Sequence, residues 1–174
     1  MRIIGILAGY GFLGLSLLIV VEILARKLLN LSIQGVDEIG GYVVAVTGTV
    51  GMALAAADRA HTRIDVLLVR LPARVQVVLN VLAYLCLAAA AAFMAYMAWT
   101  TLDESIAFNS VSSTPLQVPL SIPQSMWLGG LLLFGVTALA MAVRAVLALR
   151  RGAADAERLL APTTVVEEIE EARR

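Results

Sequence analysis

The sequence predicts an all-α integral membrane protein: four spanning helices, both ends of the chain cytoplasmic, and an amphipathic cytoplasmic segment between the second and third helices. Three observations carry this. Of 174 residues, 60% are apolar and 15% charged, against about 45–50% and about 25% in soluble domains. The apolar residues come in runs too long for one small core, and four runs reach the roughly 20 residues a bilayer crossing requires. The basic residues, finally, are sorted by loop. Thirteen Lys and Arg balance thirteen Asp and Glu, so bulk charge recruits no nucleic acid. One cysteine, Cys86, excludes an intrachain disulfide. One histidine, His61, is too few for a bis-histidine haem or a His-based zinc site, and no cofactor is expected.

The first span covers about residues 3–25 and is interrupted only by Glu22. Its apolar stretch exceeds the roughly 7–15 residues of a signal-peptide core, and Ile23-Leu24-Ala25, directly before Arg26-Lys27, is not a small-x-small cleavage site. The second covers about 37–57, opening on Asp37 and Glu38, where negative charge complements the helix dipole and Asp can cap. The third covers about 73–101, with Pro72 suited to its first turn and an alanine run from Ala88 to Ala92. The fourth covers about 124–149. All four are read as helices, because an open sheet leaves backbone polar groups unsatisfied in lipid. Residues 1–151 form the membrane domain. Residues 152–174 read as a solvated acidic tail, in which Thr164 and Glu167 have capping-box spacing ahead of Glu168, Glu170 and Glu171.

Orientation follows from charge. With the N-terminus inside, Arg2, Arg59, Arg63, Arg70, Arg74, Arg144, Arg150, Arg151, Arg158, Arg173 and Arg174 are cytoplasmic, eleven of the thirteen basic residues. Arg26 and Lys27 alone fall outside, so both termini are placed in the cytoplasm.

In the loop from Asp58 to Pro72, helical spacing puts Ile64, Leu67, Leu68 and Leu71 within about 100° of arc, with Arg59, Arg63 and Arg70 on an adjacent stripe. Such a segment lies in the headgroup plane, leucines down and arginines toward anionic lipid. A docking surface for a partner's cytoplasmic face is compatible with it. The loop between the third and fourth spans carries Pro115, Pro119 and Pro123, a spacing that disfavours helix and favours extended or turn conformations. It displays Leu116, Val118, Leu120 and Ile122 without positive charge. It either folds back on the membrane surface or offers a platform to a soluble partner.

Glu22 precedes Arg26 by four residues, the order that favours pairing on a helix, and reads as an interfacial ion pair. Asp103 and Glu104 read as the solvated end of the third span. Gly41, Ala45, Gly48 and Ala55 share a face of the second span, and Gly129, Gly130, Gly135, Ala138 and Ala142 lie on the fourth. Small faces let helices approach closely in lipid. They serve helices of one chain as well as those of two.

Chemical motifs are missing. There is no phosphate-binding Gly-x-x-x-x-Gly-Lys-[Ser/Thr] loop, no Gly-x-Ser-x-Gly elbow, and no cluster of intramembrane charges. Neither broken helices nor repeated halves suggest a transporter's own substrate site. The pattern is that of a non-enzymatic accessory membrane subunit.

Two stretches carry a family resemblance. One is Asp37-Glu38-Ile39-Gly40-Gly41-Tyr42, followed by the small-residue span and then Ala57-Asp58-Arg59-Ala60-His61-Thr62-Arg63-Ile64-Asp65 and Leu71-Pro72. The other is Ser113-Thr114-Pro115-Leu116 and Val118-Pro119 ahead of the Gly-rich fourth span. In this order the chain resembles the small, Q-type membrane subunit of TRAP (tripartite ATP-independent periplasmic) transporters. Gly35-Val36 stand where that family often has a tryptophan, and Thr62 where an apolar residue usually follows the histidine.

The resemblance implies a bacterial inner-membrane location and two protein partners. One is a large M-type subunit that moves as a sodium-coupled elevator; the other is a periplasmic binding protein delivering a carboxylate-type substrate. Membrane lipids are the third partner. It implies that this chain widens the large subunit's fixed scaffold. Asp37, Glu38, Gly41, Ala45 and Gly48 are the candidates for the large-subunit contact. Arg59, His61, Arg63, Asp65 and Arg70 are the candidates for the cytoplasmic lipid surface, and Pro115, Leu116, Val118 and Pro119 for the binding-protein face. The alternative is a small multidrug-type homodimeric exporter exchanging protons at Glu22. A four-helix lipid-modifying enzyme is a third reading, with no catalytic constellation behind it.

Overall fold

The computed structural model describes residues 2–57 and 71–151. The cytoplasmic-loop candidates Arg59, His61, Arg63, Asp65 and Arg70, and the tail of residues 152–174, lie outside the described residues. Four helices make up the rest: α1 (Arg2–Leu29), α2 (Val36–Ala57), α3 (Ala73–Ala107) and α4 (Ser121–Arg151). All four are long and apolar enough to cross a membrane. Among the described residues there is one isolated antiparallel bridge, Val111 to Pro119.

The helices outrun the apolar windows from which they were expected. α3 has 35 residues, about 52 Å at 1.5 Å per residue, and continues past Thr101 through Asp103 and Glu104. Hydropathy falls there, but nothing breaks the backbone until Asn109, which adopts a left-handed φ of 48°. The Asn109 N–H then bonds the Ile106 carbonyl at 3.2 Å and the Ser110 N–H bonds the Ser105 carbonyl at 2.9 Å. This is a Schellman ending with asparagine in the position glycine usually takes. α1 also ends on a left-handed asparagine, Asn30, φ 51°, where the Leu31 N–H bonds the Ala25 carbonyl at 3.2 Å.

α2 starts one residue earlier than expected. Gly35, φ 88°, precedes it and its carbonyl accepts from the Ile39 N–H at 3.0 Å. Asp37 therefore sits inside the first turn and not at the cap. Pro123 belongs to the first turn of α4, a correction to its reading as loop. Proline is tolerated there because its missing N–H would have no partner within the helix.

The described residues divide into two compact units. In the first (residues 1–54 and 91–135), α1 and α2 run antiparallel. Gly5 faces Leu54, Gly11 faces Thr47 and Gly40 faces Leu15. α3 and α4 pack through Ala98, Leu102, Leu128 and the fully buried Leu131, with Trp127 against them. Gly130 of α4 meets Thr49 of α2 so closely that a Cβ there would overlap the Thr49 side chain. In the second unit (described residues 55–57, 71–90 and 136–151), Val77, Val81 and Tyr84 of α3 fill against Ala142, Ala145 and Ala148 of α4. Larger residues on one helix meet alanines on the other, which allows close interdigitation without hydrophobic drive from solvent.

Candidate interaction sites

α2 carries two distinct faces. Val36, Gly40, Thr49, Ala53 and Ala56 are buried within the chain. On another side Asp37, Gly41, Val44, Ala45, Gly48 and Met52 are exposed, and at 100° per residue they fall within a single sector. A Cβ at Gly41 or Gly48 would meet nothing within 4 Å. Gly41, Ala45 and Gly48 of the second span are thus left uncovered by this chain, whereas Gly130, Ala138 and Ala142 of the fourth are consumed within it.

Glu38 does not share the environment of Asp37. Half-buried, its carboxylate accepts from the Tyr42 hydroxyl on one oxygen and from the Thr114 hydroxyl on the other. Thr114 is 76 residues away, in the α3–α4 loop. A second contact joins the same two places: Leu116 packs where a side chain on Gly35 would lie. Gly35 is needed twice, for its positive φ and for that space. The sequence alone marked Gly35 only as a missing tryptophan; its isolated position just ahead of a helix was the available signal.

The loop itself is folded. Ser112 N–H bonds the Val118 carbonyl at 2.9 Å, Leu120 N–H bonds the Ser110 carbonyl at 3.0 Å, and Gln117 N–H closes a turn on the Thr114 carbonyl at 3.1 Å. Pro115 occupies the second position of that turn, where its fixed φ fits. Ser112 Oγ lies 3.0 Å from Thr114 Oγ1 and accepts from the Thr114 N–H at 3.3 Å. The four residues expected to form one face are therefore held on one hairpin-like loop. Pro115, Leu116 and Pro119 are exposed and Val118 is half-buried.

Val118 also lines a groove of about 480 Å³ between α1, α2 and the start of α4, with Leu7, Ile39, Val46 and Met126 among its other walls. Only Tyr42 and Thr47 bring polar atoms to it, and both are satisfied: Thr47 donates to the Val43 carbonyl at 2.7 Å and Tyr42 to Glu38.

Glu22 is 6% exposed and bonded to Arg26 on its own helix, the pairing expected from their spacing. Cys86 is an exposed free thiol. Among the described residues no three His, Cys, Asp or Glu side chains gather as a metal site would require.

The family model for the DctQ component of tripartite ATP-independent periplasmic transporters matches residues 15–148. No curated protein matches the chain. The match takes in α2, the folded α3–α4 loop and nearly all of α4, the elements whose surfaces are described above. The chain belongs to the DctQ family, the small membrane component of the tripartite ATP-independent periplasmic transporters.

Proposed function

We propose that this chain scaffolds a large, elevator-type membrane subunit during sodium-coupled uptake of a carboxylate-type substrate brought by a periplasmic binding protein. The observation that carries the reading is the exposed stripe of Asp37, Gly41, Ala45 and Gly48 on α2. Small residues on a spanning helix permit backbone-close packing, and here the chain's own helices do not use them. An elevator needs a static frame that holds its position in the bilayer while another domain slides. Four long spanning helices, with small residues left uncovered on α2, fit that need.

The remaining assignments follow from topology. The distribution of basic residues supports a reading with both termini cytoplasmic; in a bacterial inner membrane the α3–α4 loop then faces the periplasm. Pro115, Leu116, Val118 and Pro119 then form the face toward the binding protein. The groove between α1 and α2 suits a lipid chain, since it offers no unsatisfied hydrogen-bonding group. Arg59, His61, Arg63, Asp65 and Arg70 contact the cytoplasmic headgroups. Proton exchange at Glu22 is not favoured, because its carboxylate is already taken by Arg26.

The test is assembly. Gly41→Leu with Gly48→Leu, and separately Asp37→Lys, should reduce co-purification of the large subunit and substrate uptake together, while the isolated chain keeps its helix content. Uptake and co-purification at the wild-type level in both variants would remove this face from the interface.

A further inference from the structure

The bonds of Glu38 belong to neither of the roles so far given to its neighbours. It lies one residue from Asp37, yet both carboxylate oxygens are engaged inside the chain, one by Tyr42 a turn further along α2 and the other by Thr114 in the distant loop. Leu116, two residues beyond Thr114, fills the space over Gly35 immediately before α2. The start of α2 and the tip of the loop are thus joined twice, once by a charge-assisted hydrogen bond and once by an apolar contact. Between them lies Pro115. The loop's own bonds, Ser112 to Val118 and Leu120 to Ser110, close its base but do not attach its tip to anything.

We propose that Glu38 is a positioning residue that fastens the α3–α4 loop through Thr114, presetting the face on which a soluble binding protein docks. Pro115, Leu116 and Gln117 at the tip are exposed, and besides Val118 on the groove wall the bond to Glu38 and the contact over Gly35 are what ties this part of the loop to α2. Preorganising a docking surface lowers the ordering cost at the moment of association. The inference rests on the proposed periplasmic role of this loop. It removes Glu38 from the large-subunit contact and leaves that contact to Asp37 and the small stripe.

The variants separate hydrogen bonding from charge. Glu38→Gln keeps an acceptor for the Tyr42 hydroxyl and places an amide N–H against the Thr114 hydroxyl oxygen. Glu38→Ala and Thr114→Val each remove the link from one side. The assembled complex of both membrane subunits, reconstituted in vesicles, is examined by hydrogen exchange at residues 112–120 and by uptake at increasing binding-protein concentration. The Ala and Val variants should exchange at least about threefold faster in the loop. They should need at least about threefold more binding protein for half-maximal uptake, with maximal uptake and subunit assembly unchanged. Glu38→Gln should stay near the wild type, and combining Glu38→Ala with Thr114→Val should add nothing to either single change.

Unaltered loop exchange in the Ala and Val variants would overturn the fastening itself. Faster exchange with an unchanged binding-protein requirement would overturn the positioning role and, with it, the assignment of this loop to docking. Loss of assembly in Glu38→Gln, with Thr114→Val harmless, would make Glu38 a charged contact to the large subunit and also overturn the proposal.

Discussion

Gly129 and Gly130 are adjacent on α4 and indistinguishable in composition, but the structure gives them opposite surroundings. A Cβ at Gly129 would enter open space. One at Gly130 would overlap Thr49 Oγ1, lie 2.8 Å from Thr49 Cβ and come within 3.6 Å of the Val50 nitrogen. Carbon atoms do not approach to 2.8 Å, so α2 and α4 must separate or Thr49 must leave its rotamer. Thr49 is buried, and its hydroxyl bonds the Val46 carbonyl at 2.9 Å on its own helix, which leaves it little freedom to move. Overpacking of this kind costs about 1–3 kcal/mol. Both substitutions to alanine gain the same helix propensity, up to about 1 kcal/mol, so this gain cancels in their difference.

Gly130→Ala should therefore be about 1–3 kcal/mol less stable than Gly129→Ala, with Gly129→Ala equal to or above the wild type. Reversible unfolding in mixed micelles, followed by helix content and by fluorescence of Trp127, which packs on the neighbouring α3–α4 core, measures this difference. Thr49→Gly removes the obstructing Cβ and hydroxyl together, so in the double variant it should recover most of the loss, a coupling of about 1–2 kcal/mol. Equal stability of the two alanine variants would refute the close approach of α2 and α4 at this point. So would a double variant whose losses simply add.

Gly35→Ala should destabilise the chain by about 1–2 kcal/mol, because an L residue is strained at φ 88° and its Cβ would strike Leu116; Leu116→Ala should relieve the steric part in thermal unfolding and leave the backbone part. Asn109→Gly should be neutral or slightly stabilising, whereas Asn109→Val should lose about 1 kcal/mol or more by forcing a β-branched residue into the left-handed region at the α3 ending. Arg26→Ala should lower stability more than Arg26→Ala combined with Glu22→Gln, since the single change leaves a buried carboxylate without its cation. Glu22→Gln alone should leave uptake by the assembled transporter intact.

The helices were legible because hydropathy runs of this length have few other physical solutions in a 174-residue chain. Their ends were less so. Asp103 and Glu104 end the apolar window of α3 without ending its hydrogen bonding, and Pro123 looks like a loop residue while serving a helix's first turn. The pairing of Glu22 with Arg26 was readable because both lie on one helix, four residues apart. The partner of Glu38 was not, because Thr114 comes to it only through the packing of a loop far along the chain. Small residues were visible as a class; which of them meet another helix is a property of packing. Gly41 and Gly48 remain uncovered while Gly130 is closed against Thr49, and no spacing rule separates these cases.

The central claim is that this chain works as one part of a larger membrane assembly. Native mass spectrometry of the tagged chain, purified from its host membrane in mild detergent, tests it most directly, with peptide sequencing of whatever accompanies it. The account predicts a one-to-one complex with a much larger polytopic protein identified as the transporter's large membrane subunit, lost when Gly41 and Gly48 are both replaced by leucine. A homodimer with no large companion, unaffected by those replacements, would contradict it.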